Sequence, residues 1–597
     1  MKRTEENLRR NPKLFWSFVN SKRKESGLPS TLFLGSDTAK TEREKCSLFA
    51  EHFKQVFHDC SATPIQIEEA IYSMPQHVFD FVIPHISEDN ITAGLSKLKL
   101  SFTSGPDGIP SCILKRCAHA LSSPLAKLFN LSIQQCAFPT YWKSSVMFPV
   151  HKKGDKRNIT NYRGITSLCA CSKLFEIIVN DVLFSCCKHY IDSEQHGFYP
   201  KRSVSTNLMQ FTSTCLRNMD AGWQVDAVYM DLKAAFDRVD HEILLAKLGR
   251  LGVSTSSVAW FRSYLTNRLV RVKIGSSNSG TFSNNSGVPQ GSNLGPLLFL
   301  IFINDLAPLL PPKCRLFYAD DTKIFKVITC ITDCLELQNL LCCFADWCTR
   351  NSMCLSIDKC NIISFHRKSS PIIFDYTISG CHLPRAEYVK DLGVILDSGL
   401  TFRIHYNDII TKANRQLGFI FKIANEFRDP LCLRSLYCSL VRSILESNAV
   451  IWCPSHANWI ARIEAVQRKF VRYSLRHLPW RDPLNLPPYE NRCRLLSLEP
   501  LEFRRIVAQA TFAGKLLTGD IDCPVLLTQM NIYAPERQLR QRDFLYLEPR
   551  NRDYAVNEPI RAIGMRFNDH FEYFDFNVSY SVFRARLLDL FRNVNVN

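Results

Sequence analysis

Two adjacent aspartates at the centre of 316-LFYADDTKIF-325 are residues with the means to do chemistry. Like charges side by side at a hairpin tip repel one another, and Asp-Asp is not the Asn-Gly or Asp-Gly pair that a tight two-residue turn prefers. A third acid, Asp231, stands at the far end of 225-VDAVYMDL-232, an apolar stretch that reads as a buried strand. A buried strand ending in an acid places that carboxylate at the rim of its sheet. If the hairpin carrying Asp320 and Asp321 lies beside this strand, three carboxylates from distant parts of the chain meet at one rim. Unpaired, such a cluster is electrostatically unfavourable, whereas hard divalent cations with oxygen ligands reverse the sign of the interaction. Two Mg2+ ions held about 4 Å apart, with Mn2+ as a substitute, activate a hydroxyl nucleophile and stabilise a leaving pyrophosphate in in-line phosphoryl transfer. Asp231 and Asp320 are the expected ligands, with Asp321 supplying further negative charge or support. Either Asp alone is more simply a turn or helix-cap residue, so the expectation rests on the combination.

Two other segments suit the same chemistry. The Gly/Pro-rich loop that opens 286-SGVPQGSNLGPLLFLIF-302 lets backbone and Gln290 approach a flat ligand closely. The stretch 149-PVHKKGDKRNITNYRGI-165 gathers Lys152, Lys153, Lys156, Arg157 and Arg163 against one acid, Asp155. A loop of that kind suits a triphosphate, with Arg giving bidentate contacts, although a basic run by itself is more often a solvated turn.

The elements that must position these residues follow from length and patterning. At 597 residues the chain should divide into roughly three to five units. Its 46% hydrophobic and 22% charged residues are those of an ordinary globular protein, but 74 Lys and Arg against 56 Asp and Glu leave a net charge of +18. That surplus favours polyanionic partners such as nucleic acid. The 24 cysteines are scattered without zinc-knuckle or paired C-x-x-C spacing, and the charged opening MKRTEENLRR holds no secretory signal. They read as reduced core residues of an intracellular protein. The longest apolar run, 296-PLLFLIFI-303, is far short of the ~20 residues needed to span a bilayer, so no membrane anchor is expected.

Residues 41–57 carry Leu48, Phe49, His52, Phe53, Val56 and Phe57 at helical spacing. The first forty residues, polar and basic around Phe15, Trp16 and Phe18, read as a connector to an upstream partner. From 85 to 220 helical patterns alternate with Gly/Pro punctuation. From 225 strands and helices alternate: a strand over 225–232, a helix over 233–252 ending in Gly252, and a core helix over 297–310 stopped by Pro311 and Pro312. Beyond 400 the chain is mostly helical. In 457-ANWIARIEAVQRKFVRYSLRHL-478, Ile460, Ile463, Val466, Phe470 and Tyr473 fall on one side and Arg462, Lys469, Arg472 and Arg476 on another. An apolar side for packing and a basic side for phosphates suit a helix that tracks a duplex backbone.

The ordered set 104-SGPDGIP-110, 149-PVHKKGD-155, 161-NYRGI-165, 231-DLKAAFD-237, 287-GVPQGS-292, 318-YADD-321 and 354-CLSIDKCNIISF-365 resembles the reverse transcriptases of jockey-like non-LTR retrotransposons of animals. YADD by itself is a weak signal; seven blocks in the family's order are a strong one. The resemblance covers roughly residues 100–400 and implies an α+β, right-hand polymerase with fingers, an antiparallel palm sheet and a thumb. It implies a connector and helical extension over 1–100, fingers over 101–222, a palm over 223–400 (a reverse transcriptase domain over about 131–397), a helical thumb over 401–500 and a helical extension without assigned role over 501–597. Carried over position by position, Asp231 and Asp320 are metal ligands with Asp321 beside them, and the carbonyl of Leu232 completes the metal site. Lys152 and Arg163 grip the incoming triphosphate, Gln290 contacts nucleotide and template, Lys359 protonates pyrophosphate, and Leu392-Gly393 form the primer grip. Phe236 should lie under the sugar of the incoming nucleotide, where a bulky ring leaves no space for a 2′-hydroxyl and favours dNTP over NTP.

The implied partners are an RNA template, a DNA primer supplied by a nicked chromosomal strand, and dNTPs. The workplace is then the nucleus, and no endonuclease fits in the hundred residues ahead of the fingers. Three features depart from the family's pattern. Gly164 stands where Pro is usual and should loosen the loop that aims Arg163. Tyr199-Pro200 interrupt the expected Gly-Phe-Arg, leaving Lys201 and Arg202 as alternatives for the arginine, and Cys360 replaces Thr. The competing readings are a non-catalytic nucleic-acid-binding remnant and an RNA-dependent RNA polymerase, the second disfavoured by Phe236.

Overall fold

The strand expected at 225–232 forms over Gln224–Met230 and is buried on both faces, as its run of apolar residues requires. In the computed structural model, which describes residues 2–22, 27–57, 62–424, 427, 429–476, 487–534 and 543–593, this strand lies inside a four-stranded antiparallel sheet. The order is Asn361–Phe365, Gln224–Met230, Asp321–Ile328, Arg315–Tyr318. Alternation sends Val228 and Met230 to one face and Val225 and Ala227 to the other, and each set joins a different core. The first core gathers the helices Ala170–Cys187, His241–Leu251, Gly295–Ile303 and Ile331–Arg350. The second gathers the helix Val204–Asp220 and most of the chain beyond 394. The fold is therefore α+β, with the sheet as the layer between two apolar cores.

A second sheet holds the basic loop. Strand Ser144–His151 pairs antiparallel with Tyr162–Ser167 and parallel with Arg268–Ile274. The helix expected at 41–57 forms over Glu42–Val56, closed at its start by a reciprocal Thr41–Glu44 capping box. It lays Phe49 and Phe53 against Tyr162 and Val272 of this sheet. Residues 1–100 thus do not form a unit of their own. Phe15 and Val19 enter the second core, residues 32–57 pack on the sheet with Tyr162, and Ile91 and Leu95 enter the first core.

Past 400 the elements are helical, as the patterning implies: Arg403–Ala424, Ala457–Ser474, Leu501–Leu517, Pro559–Asn568 and Tyr580–Asn593. The stretch after 500 also holds a short strand pair, Asn531–Ile532 with Leu545–Tyr546. It docks on the helix Val204–Asp220, where the Tyr554 hydroxyl donates to the Met219 carbonyl at 2.8 Å and Asp220 accepts from the Arg552 amide at 2.8 Å. Among the described residues no helix is long and apolar enough to cross a membrane, and the described cysteines are free thiols.

The helix expected from 233 starts only at His241. Ala234 adopts a left-handed φ of 50°, and Asp240 caps the new start by accepting from the Glu242 and Ile243 amides. Residues 233–240 form instead a loop with one 3-10 turn. The helix ends where expected, at Gly252, whose φ of 110° suits no side chain and whose missing Cβ would overlap the Phe79 carbonyl. Gly252→Ala is expected to destabilise the protein by about 2–4 kcal/mol. Chemical denaturation of wild type and variant checks it.

Candidate active site

The Asp-Asp hairpin pairs Tyr318 with Asp321, leaving Ala319 and Asp320 as a two-residue tip. Ala319 takes a φ of 58°, a conformation that costs a non-glycine residue about 1 kcal/mol. It is held there by the segment 194–197. Gln195 accepts through Oε1 from the Ala319 amide at 2.8 Å and from the Gly197 amide at 2.9 Å. The Phe317 amide donates to the Glu194 carbonyl, its carbonyl accepts from the His196 amide, and Asn207 donates to the same carbonyl, each at 3.0 Å. At Gly197 a Cβ would overlap the Ala319 nitrogen. The turn is thus imposed from outside and not by its own residues.

Pairing of Met230 with Thr322 sets Asp231 across from Asp321 at the rim. The expected convergence of residues 231, 320 and 321 is present, and the three charges act on one another. Burial, then the neighbouring charge of Asp231, raise Asp320, which Lys152 pulls back down. Burial and the charges of Asp320, Asp391 and Asp231 push Asp321 up to about 6. Lys359 is paired with Asp231: its Nζ donates to Asp231 Oδ2 at 2.9 Å. It reaches there from a 3-10 turn, Ile357–Lys359, that follows the bridge of Leu232 to Leu355. That bridge uses the Asp231 carbonyl, with Ser356 donating at 2.8 Å, and the Lys233 amide, leaving the Leu232 carbonyl out of the pairing.

Among the described residues no three His, Cys, Asp or Glu side chains are closed into a ready cage for an ion. The donor set nonetheless suits a hard divalent cation in kind, since the three side chains offer only oxygens. Such an ion would compete with Lys359 for Asp231.

Beside Asp320 opens a cavity of about 760 Å³ whose walls include Lys152, Arg163, Phe236 and Gln290. Four of the residues singled out from sequence thus share one space with Asp320. Phe236 stacks on Phe299, centroids 4.2 Å apart and planes 20° from parallel. Gln290 lines the cavity, but its amide nitrogen donates to both carboxylate oxygens of Asp237, at 2.7 and 2.8 Å. Burial raises Asp237 to about 6 and this bond opposes the rise. Arg157 is spent on its neighbour Asp155 at 3.1 Å. The loosening expected at Gly164 is absent: it pairs with Pro149 in a regular ladder, and Met147 fills the space where its side chain would stand.

Neither alternative for the arginine faces the cavity. Arg202 donates to the Ser193 and Gln195 carbonyls, both at 2.8 Å, and to the Asp522 carbonyl, while Lys201 donates to the Gly519 carbonyl. Leu392 and Gly393 form the tip between strands Tyr388–Asp391 and Val394–Asp397, with φ of 44° and 96°, the pair of left-handed residues that a tight hairpin turn needs. On the helix Ala457–Ser474, Ile463, Val466 and Phe470 are buried while Arg462, Lys469, Arg472 and, just beyond, Arg476 are exposed. Residues 477 and 478 of that expected helix lie outside the described residues. Arg462 stacks on Trp459 and Arg476 on Tyr473.

Three carboxylates at one sheet rim thus stand beside a basic, aromatic-walled cavity. Residues 150–396 match the family model "Reverse transcriptase (RNA-dependent DNA polymerase)". Across a wider span the chain is similar to three proteins of Drosophila melanogaster. It is 28% identical to the probable RNA-directed DNA polymerase from transposon BS, over 73% of this chain and 50% of that protein. It is 26% identical to the one from transposon X-element, over 72% and 49%. It is 25% identical to the RNA-directed DNA polymerase from mobile element jockey, over 74% and 50%. The chain spans about half the length of the curated relatives it matches.

Sequence reasoning passed over the groups that hold the hairpin, Gln195, His196 and Asn207. His196 is 1% exposed and accepts or donates through Nδ1 at Thr206 Oγ1, 2.8 Å away. Burial, then the charges of Arg202 and Lys323, hold its imidazole down to about 3. A base whose folded value is depressed takes up its proton in the unfolded chain first, so its contribution to stability is present above about pH 6.5 and is lost as pH falls toward 3. The stability advantage of wild type over His196→Asn should therefore shrink below pH 6.5 by up to roughly 1.4 kcal/mol per pH unit. Denaturant titrations of both proteins between pH 7.5 and 4.5 read it; a pH-independent difference would show that His196 is not buried neutral.

Proposed function

We propose that this protein is an RNA-directed DNA polymerase that copies an RNA template into DNA from a primer 3′-hydroxyl, within retrotransposition. The observation that carries the reading is the register of Met230 on Thr322, which sets Asp231 against Asp320 and Asp321 beside a cavity walled by Lys152, Arg163 and Phe236. In this reading the four-stranded sheet is the palm, the sheet with Tyr162 and its flanking helices the fingers, and the helices between 401 and 500 the thumb. The primer enters along Leu392-Gly393, and the exposed Arg462, Lys469, Arg472 and Arg476 track duplex phosphates without reading sequence. A nicked chromosomal strand as primer would place the reaction in the nucleus.

Asp231, Asp320 and the Leu232 carbonyl would hold two Mg2+ ions, with Asp321 alongside; the bound pair lowers the pKa of the attacking hydroxyl and neutralises the leaving pyrophosphate. The chain's own groups do the rest. Lys152 and Arg163 fix the triphosphate by charge-assisted hydrogen bonds. Phe236, immobilised on Phe299, closes the space below the sugar. Asp237 orients Gln290 toward the base pair. Lys359, already beside Asp231, supplies the proton to pyrophosphate once released from that carboxylate.

Extension of oligo(dT) on poly(rA) with Mg2+ tests the reading. Wild type should incorporate dTTP, and Asp320→Asn should lose at least ~10³-fold in rate while still binding the duplex. Duplex binding without extension by wild type would identify a non-catalytic binding protein instead. Phe236→Ala should bring UTP incorporation within about tenfold of dTTP; an unchanged preference would remove Phe236 from the sugar site.

A further inference from the structure

Lys323 lies two residues past Asp321 on the same strand and Tyr229 two residues before Asp231 on the neighbouring one, and the two are register partners. With a side-chain period of two they share a face of the sheet with Asp321 and Asp231. Both converge on a single carboxylate. Lys323 Nζ donates to Asp391 Oδ2 at 2.7 Å and the Tyr229 hydroxyl donates to the same oxygen at 3.1 Å. Lys323 donates further to Asn207 Oδ1 at 2.6 Å, and Asn207 donates to the Phe317 carbonyl in the other arm of the Asp-Asp hairpin. The ammonium also sits 4.9 Å from the Phe211 ring centroid. The side chains of Lys323 and Asp391 are 2% and 3% exposed.

Asp391 is the last strand residue before the Leu392-Gly393 tip. One buried oxygen thus fastens three elements: the strand that delivers Asp231, the strand that delivers Asp320 and Asp321, and the hairpin placed at the primer. A buried ion pair is a poor way to gain stability, since desolvation consumes most of its attraction. It is a good way to fix a geometry, because breaking it leaves a charge without a partner. An apolar contact between the same elements would tolerate sliding by fractions of an ångström.

We propose that Asp391, clamped by Lys323 and Tyr229, is a positioning residue that sets the distance between the primer terminus on the Leu392-Gly393 hairpin and the carboxylates at 231 and 320. The clamp acts on alignment of the attacking 3′-hydroxyl and not on nucleotide capture, which belongs to the cavity walls on the other side of Asp320. The inference rests on the polymerase reading for its consequence, but the clamp itself has an independent readout.

Three variants test it: Asp391→Asn, Lys323→Arg, and the double variant Lys323→Met/Asp391→Leu, which keeps an apolar pair and avoids a buried lone charge. In primer extension, Asp391→Asn and the double variant should lose tenfold or more in kcat with the dNTP KM changed by less than about twofold, because misplacement of the nucleophile costs rate and not uniform binding. Lys323→Arg, which keeps a cation beside Asp391, should retain most of the wild-type rate. Hydrogen exchange at the amides of 391–394 and 319–322 is the second arm. Both segments should exchange at least about tenfold faster in the double variant while helices distant from the clamp stay unchanged. A folded double variant with wild-type kcat, or with unaltered exchange in both hairpins, overturns the proposal. Wild type that fails to extend any primer while the exchange coupling is present would instead retire the polymerase reading and keep the clamp.

Discussion

Mutual repulsion of carboxylates at one sheet rim is the constraint around which the molecule is arranged. Two carboxylates about 4 Å apart near a protein surface repel by roughly 4 kcal/mol, whereas one intramolecular hydrogen bond contributes about 1 kcal/mol. No single contact can hold Asp231, Asp320 and Asp321 together, and the structure does not rely on one. Seven consecutive register pairs join the strand ahead of Asp231 to the strand that starts at Asp321. The hairpin tip is gripped by Gln195 and by backbone bonds to Glu194 and His196. Local repulsion is thereby overridden by cooperative pairing.

The two cores follow from the same requirement. A sheet that must hold charges at its rim without yielding needs both faces packed, and each face here has its own apolar cluster. The helix Val204–Asp220 serves both the fold and the site. Its Leu208 and Phe211 pack under the sheet, Asn207 reaches the hairpin, and its far end receives the chain beyond 500 through Asp220 and Met219. Arg202, just ahead of that helix, ties the 193–195 loop to the carbonyl of Asp522. The segment after 500, for which the sequence suggested no role, is in this way connected to the buttress of the Asp-Asp hairpin.

How much was legible from sequence depends on the range of the forces involved. The strand at 225, the helices at 42 and 457, the Gly252 stop and the cluster of Asp231 with Asp320 and Asp321 are written in local periodicity, in turn chemistry, or in acids at the ends of apolar runs. The helix start at 241 was not, because a left-handed Ala234 and the Asp240 cap interrupt a pattern that reads as continuous. Gln195, Asn207, Lys323 and Asp391 were missed for a different reason. Each is a polar residue with no local signature, and its role arises only when segments more than sixty positions apart pack together. Gly164 shows the limit of comparison by pattern: the expected slack is taken up by Met147, a neighbour the motif does not include.

The central claim is that residues 231 and 320–321 share one divalent site, and iron-directed cleavage reads this without any assumption about substrate. Fe2+ bound in place of Mg2+ reduces added hydrogen peroxide to hydroxyl radicals, with ascorbate returning Fe3+ to Fe2+, and these cut only the nearby backbone. Two cut sites are expected in the wild-type chain, one close to Asp231 and one across the Ala319–Asp321 tip. Both should fade together with added Mg2+ and both should be lost in Asp231→Asn. Cuts at one of these segments without the other, or loss of only the local cut in the variant, would contradict it.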